Sequence, residues 1–242
     1  MPSLEELRER LVGRFQQVCH RTGMYVPDAR AAEVSCRELL EVLAYVDDCE
    51  QAYAREMSRR RRDDFGSTGA ESMLWWFASG DVQVEGHDLT VRSTGNAEVA
   101  AWYAELAALF GWLDVPRLSA HDLASVVTAL CDPDRIDAWT RGRLVAELPA
   151  ASIVVGKTVY CYAPPEPDAR WVFVDVLSEW GPPWDRPEAP VRSYRTAGPR
   201  GARSAMVVST LGRQTLTPRA ALPAGHSRVV MLKRAPSGTD SS

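Results

Sequence analysis

The sequence predicts an α+β protein: a helical, acidic N-terminal portion with a small hairpin, followed by a basic, β-rich C-terminal portion. Three observations carry this. Apolar residues recur at spacings of three and four through most of residues 1–149. After Pro149 the pattern changes to short runs of β-branched and aromatic residues, as in Ile153–Tyr162 and Trp171–Leu177. The charge changes sign at the same place: residues 1–150 carry 25 acids against 16 arginines, a net of −9, and residues 151–242 carry 7 acids against 12 bases, a net of +5.

The first helix opens with Ser3 and Glu6, an S-x-x-E capping box. Leu4, Leu7, Leu11, Phe15 and Val18 follow as one apolar stripe, and Gly23 is the expected stop. Asp28 caps a second helix expected to run to about Arg62, with Cys36, Leu39, Leu43, Val46, Tyr53 and Met57 on one face. Such a helix would be roughly 50 Å long, so it must pack on the first helix, pair with a second copy, or break; packing is the expectation. Phe65-Gly66-Ser67-Thr68-Gly69 reads as a turn-rich boundary, and the apolar block Met73–Phe77 has no decisive period. Val82 and Val84, the turn at 85–88, then Leu89 and Val91 read as a hairpin.

Three further helices are expected at about 97–110, 120–131 and 135–148, punctuated by Pro116, Pro133 and Pro149. Ser119 and Asp122 open the second of them. In the β-rich portion, shorter strands are expected near 205–210 and 228–232. Half of the 16 prolines lie between Pro164 and Pro199, so long connections join these strands. Residues 1–149, 150–234 and a small polar tail at 235–242 are the expected divisions, with a small barrel or sandwich as the form of the second. No window approaches the ~18–20 apolar residues of a membrane helix. Five widely spaced cysteines without a CxxC pair, and no signal sequence, point to a reducing cytoplasm.

Familiar catalytic signatures are absent: there is no HExxH, no GxSxG, no GxGxxG, and Val155-Gly156-Lys157-Thr158 lacks the upstream glycine of a phosphate-binding loop. No catalytic residue, metal ligand or cofactor is assigned. Asp47-Asp48-Cys49-Glu50 resembles in composition the aspartate-rich stretch that holds magnesium in isoprenoid enzymes, but Gln51 stands where a further aspartate is needed. A solvated helix face is the plainer reading. Cys161, Asp175 and His226 could supply a thiol–carboxylate–imidazole set, although Cys161 between Tyr160 and Tyr162 reads as a buried strand cysteine.

Two features point to recognition. Between Glu188 and Asp240 there is no acidic residue, while Arg192, Arg195, Arg200, Arg203, Arg213, Arg219, Arg228, Lys233 and Arg234 accumulate. This stretch needs either a polyanion or the acidic portion of the chain. Trp180-Gly181-Pro182-Pro183-Trp184 puts two large aromatics on a proline-stiffened connection, where they either cover the core or meet a partner. Arg59, Arg60, Arg61 and Arg62 form the densest positive cluster, read as phosphate contacts or as charges favourable at a helix C-terminus. The functional expectation is a cytoplasmic protein-interaction, regulatory or adaptor protein, its contacts made by Trp180, Trp184, Arg192, Arg195, Arg200 and Arg203, with self-association through the long helix. The alternatives are nucleic-acid binding through the arginine-rich strands and an enzyme whose site is not legible in one sequence.

Overall fold

In a computed structural model, residues 3–20, 29–65, 81–84, 87–90, 94–130, 135–176, 186–196 and 205–208 are described. Helices dominate the N-terminal part and an antiparallel sheet follows, an α+β arrangement. Helix α1 (Leu4–His20) starts on the expected capping box: the Ser3 amide donates to Glu6 Oε2 at 2.8 Å, and the Glu6 amide to Ser3 Oγ at 3.1 Å. Phe15 and Cys19 are buried, whereas Leu4 is 68% exposed because the stripe runs past the end of the core.

The expected long helix breaks in two. Helix α2 (Ala29–Val46) stops before a turn at Asp47-Asp48, and helix α3 (Glu50–Phe65) begins anew. Asp48 takes a positive φ of 52°, the Cys49 amide donates to the Ala44 carbonyl at 2.8 Å, and the Asp48 amide to Tyr45 at 3.3 Å. This is the Schellman pattern with aspartate at the left-handed position usually held by glycine. No glycine marks the stop, so hydrophobic period alone runs straight through it. Helix α2 does pack on α1, as expected.

The hairpin is present, with β1 (Asp81–Val84) antiparallel to β2 (His87–Thr90). Helix α4 (Thr94–Leu109) is buried around its circumference between Val99 and Ala107, the signature of a helix enclosed on all sides. It ends on Gly111 (φ 72°), where the Trp112 amide donates to the Ala107 carbonyl. Helix α5 (Ala120–Leu130) is capped by Ser119 Oγ, which accepts from the Asp122 amide at 3.1 Å. The last expected helix is split: a short 3-10 turn covers Ile136–Ala138, Trp139 and Thr140 are extended, and α6 covers only Arg141–Glu147.

The larger sheet has the order β3-β4-β5-β6-β7, every neighbour antiparallel and consecutive. Strands β3 (Ile153–Val155) and β4 (Val159–Tyr162) come from what reads in the sequence as one run. They are joined at Gly156 (φ 57°) and Lys157 (φ 61°), and the Thr158 amide donates to the Val155 carbonyl at 3.1 Å. Two consecutive positive φ values make this a type I′ turn, whose twist suits a tight hairpin. Strand β5 (Val172–Val176) follows, then β6 (Val191–Thr196) and β7 (Ala205–Val208).

Both faces of this sheet are covered, which explains why β4 and β5 are buried at every position. Val155, Val159, Cys161, Trp171 and Phe173 join α1, α2 and α4 in one core. Tyr160, Tyr162, Val172, Val174, Val176, Val191 and Tyr194 meet Leu118, Val126, Leu130, Ile136, Trp139 and Leu144 in the other. The described strands form a covered meander, and the first core extends across the expected division at residue 149. The block 73–77, the strand expected at 228–232 and the tail at 235–242 lie outside the described residues. No described helix is long and apolar enough to cross a membrane.

Candidate functional site

Of the charged residues picked out by the sequence, Arg59, Arg60 and Arg192 enter two ion-pair networks. In the first, Glu105 sits on α4, within the otherwise apolar stretch Val99–Leu109, and is 1% exposed. Arg170, just before β5, grips it with two hydrogen bonds, Nε to Oε1 at 2.8 Å and Nη2 to Oε2 at 3.1 Å. The Trp171 amide adds a third at 2.8 Å. From α3, Arg60 Nη1 reaches Glu105 Oε2 at 2.8 Å, and its Nε donates to Glu56 Oε1 at 2.6 Å. Arg59 donates to both oxygens of the same Glu56, at 2.8 and 2.6 Å.

Burial pushes Glu105 upward, but the charges of Arg60 and Arg170 and the bonds from Arg170 and Trp171 outweigh it, and its pKa falls below the usual value. Glu56 is likewise raised by burial and lowered more strongly by Arg59 and Arg60, down to about 2. Arg60 is therefore inside the molecule, at 1% exposure, and Arg59 leans along its own helix. The geometry ties α3 to α4 and to the start of β5. Arg61 and Arg62 lie on α3, in its last turn or so.

The second network lies where β5 meets β6. Val176 pairs with Val191 and Asp175 with Ser193, so Arg192 is the extra residue of a β-bulge. Alternation puts Asp175 on the same face as Trp171 and Phe173. The bulge swings Arg192 onto it, where Nη2 donates to Asp175 Oδ2. Both side chains are buried, at 2% and 3% exposure, so Arg192 lies within the sheet rather than on its exterior. Arg195 pairs with Phe173 and Met206 across β6. Trp180, Trp184, Arg200 and Arg203 lie outside the described residues, as do Arg213, Arg219, Arg228, Lys233, Arg234 and His226.

The connection that contains Trp180 and Trp184 springs from this bulge and is held at its far end. There the Pro187-Glu188-Ala189-Pro190 stretch meets the start of α6. The Arg141 amide donates to the Ala189 carbonyl at 2.8 Å and the Gly142 amide to Pro187 at 2.7 Å. The Val191 amide returns a bond to the Trp139 carbonyl at 2.9 Å, and Thr140 bridges Pro190. Gly142 is required by the approach: a Cβ there would lie 3.1 Å from both the Pro187 Cβ and its carbonyl oxygen.

The remaining candidates take internal roles. Asp47 accepts from Arg8 Nε at 2.9 and 3.0 Å and from the Trp112 indole at 2.8 Å. Burial opposes ionisation, but these bonds and the Arg8 charge prevail and hold its pKa low. Among the described residues no three His, Cys, Asp or Glu side chains group as a metal site. Cys161 is fully buried, facing the core that holds Cys19, whose thiol is pushed far up by burial and by Cys161. Asp175, the carboxylate considered with it, is engaged by Arg192.

Sequence reasoning missed Glu105 and Arg170. The available signal was a single carboxylate within the otherwise apolar stretch Val99–Leu109; its partner sits 65 residues away and has no local mark. No family model, curated protein or solved structure matches the chain.

Proposed function

We propose that this chain is a cytoplasmic protein-interaction module of regulatory or adaptor type, which meets its partner through the β5–β6 connection carrying Trp180 and Trp184. The observation that supports this reading is the anchoring of that connection. One end leaves a bulge stapled by Asp175 and Arg192, and the other is hydrogen-bonded to the first turn of α6. A contact loop with fixed ends loses less conformational freedom on binding, so more of its contact energy is expressed as affinity. Two tryptophans offer large apolar area at low entropic cost.

Arg195, Arg200 and Arg203 follow in the same acid-free stretch and supply charge for an acidic rim on the partner. Helix α2 offers a second surface, with Val42 at 43% and Tyr45 at 73% exposure flanked by the exposed Glu38 and Glu41. Self-association of copies of this chain belongs there. Among the described residues Cys19, Cys36, Cys49 and Cys161 are not joined in disulfides, which accords with a reducing compartment.

The test compares proteins retained from cell extract by the wild-type chain and by Trp180→Ala/Trp184→Ala, with Val42→Glu/Tyr45→Glu as a parallel variant. A partner lost only with the tryptophan pair, and rebound when purified, supports the reading. Identical retention by wild type and tryptophan variant overturns it. Sedimentation of the purified chain separates self-association, which Val42→Glu/Tyr45→Glu should abolish. Tight binding of a 20-nucleotide single strand, steeply weakened by salt and lost on reversing Arg195, Arg200 and Arg203, would transfer the assignment to nucleic-acid recognition.

A further inference from the structure

A helix of seven residues makes fewer than two turns, too few to stand alone in water. Its first amides also need acceptors, since no earlier turn supplies them. In α6 that accounting closes without solvent. The Arg141 and Gly142 amides donate to the carbonyls of Ala189 and Pro187, and the Arg143 amide donates to Thr140 Oγ1 at 3.4 Å. The Leu144 amide then begins the helical ladder on Thr140 O at 2.9 Å.

The stem is equally dependent. Pro187 and Pro190 have no amide hydrogen, so at these residues the stretch can join the fold only by accepting bonds. The acceptors used, Pro187 O and Ala189 O, are the ones turned toward α6. Leu144 anchors α6 in the second core, and Val191 anchors the end of the stem in that same core. Arg143 caps the arrangement, its guanidinium 4.5 Å from the Trp139 ring centroid and paired with Glu147 at 2.7 Å.

We infer that α6 and the 186–191 stem form and melt as one cooperative unit, so that the placement of the β5–β6 connection is coupled to the folding of α6. The inference stands whatever the connection contacts. Its consequence is reciprocal: any ligand that stabilises the 186–191 stem also protects α6, and any change that frays α6 loosens the stem.

Hydrogen exchange on the full chain tests it. Gly142→Val pushes against Pro187 while keeping a helix-compatible backbone at residue 142. Amides 144–148 and the Val191 amide should then exchange at least tenfold faster, by a common factor, with the β4 and β5 amides unchanged. Thr140→Ala attacks from the helix side and should speed Val191 by the same factor as Leu144. Loosening of Val191 while 144–148 keep their protection overturns the inference, as does a lack of change in both. If either variant fails to fold, the wild-type chain decides. Across a denaturant series the two sets of amides should share one opening free energy and one slope, and separate isotherms overturn the proposal.

Discussion

Glu105 ties three segments together, because it accepts from the Arg170 guanidinium and the Trp171 amide and pairs with Arg60 in a buried site. A buried pair gains little over a well-packed apolar substitute, but removing one member leaves uncompensated charge behind. Glu105→Gln should therefore cost about 3–5 kcal/mol, read as a shift in the urea midpoint at unchanged slope. A loss below about 1 kcal/mol, the ordinary value for an exposed pair, would mean that water reaches the site. Arg143→Ala, at an exposed pair with Glu147, should move the midpoint far less. Glu105 is buried and shared by two arginines, whereas Glu147 is exposed and meets Arg143 one turn away on its own helix.

At the scale of elements, the breaks are set by backbone conformation. Asp48 holds a left-handed geometry that glycine adopts without strain. Asp48→Gly should leave stability unchanged or raise it by up to about 1 kcal/mol, measured by thermal unfolding. A clear loss would show that the aspartate side chain itself holds the turn. Two glycines with positive φ give the converse comparison. At Gly111 an added Cβ meets nothing within 4 Å, so Gly111→Ala should cost only the backbone strain, about 1 kcal/mol. At Gly156 the Cβ would come 2.8 Å from the Ala97 Cβ, and Gly156→Ala should cost distinctly more, because the β3–β4 turn must move away from α4. Equal losses at the two positions would mean that this contact yields freely.

For the molecule as a whole, acid is the informative variable. The carboxyls of Asp47, Glu56 and Glu105 all have folded pKa values below their ordinary ones, 3.8 for aspartate and 4.5 for glutamate. A carboxyl with a depressed folded pKa stabilises the fold fully above its unfolded value and loses that contribution as pH falls through the folded one. Stability from these groups should hold above about pH 5 and decline from about 4.5 toward 2, the range set by Glu56. Glu56→Gln should flatten the decline in that window. A denaturation midpoint at pH 3 equal to that at pH 7 would contradict the buried pairing of these groups. Since Glu56 and Glu105 both hold Arg60, the acid transition should begin with α3 leaving α4, visible as early exchange of α3 amides.

Local chemistry was enough to read several elements directly: the Ser3–Glu6 box, the Ser119 cap, the hairpin at 81–90 and the change to strands after Pro149. Each depends on side chains a few residues apart, whose preferences act within the element itself. The split of the long helix, the separation of β3 from β4 and strand β6 were not legible. Asp48 and Lys157 carry no glycine-like mark for their positive φ, and β6 reads Val-Arg-Ser-Tyr-Arg-Thr, with few apolar residues to betray a covered strand. The arginines illustrate the same division. Their number, and the absence of acids between Glu188 and Asp240, follow from composition, but Arg60 and Arg170 face inward because Glu105 arrives from α4, and Arg192 because Asp175 arrives from β5. By itself the chain's pattern determined an α+β succession and an unequal spread of charge. Tertiary packing decided which charges are internal, because the free energy of a buried ion depends on the partner brought to it and not on its neighbours in sequence.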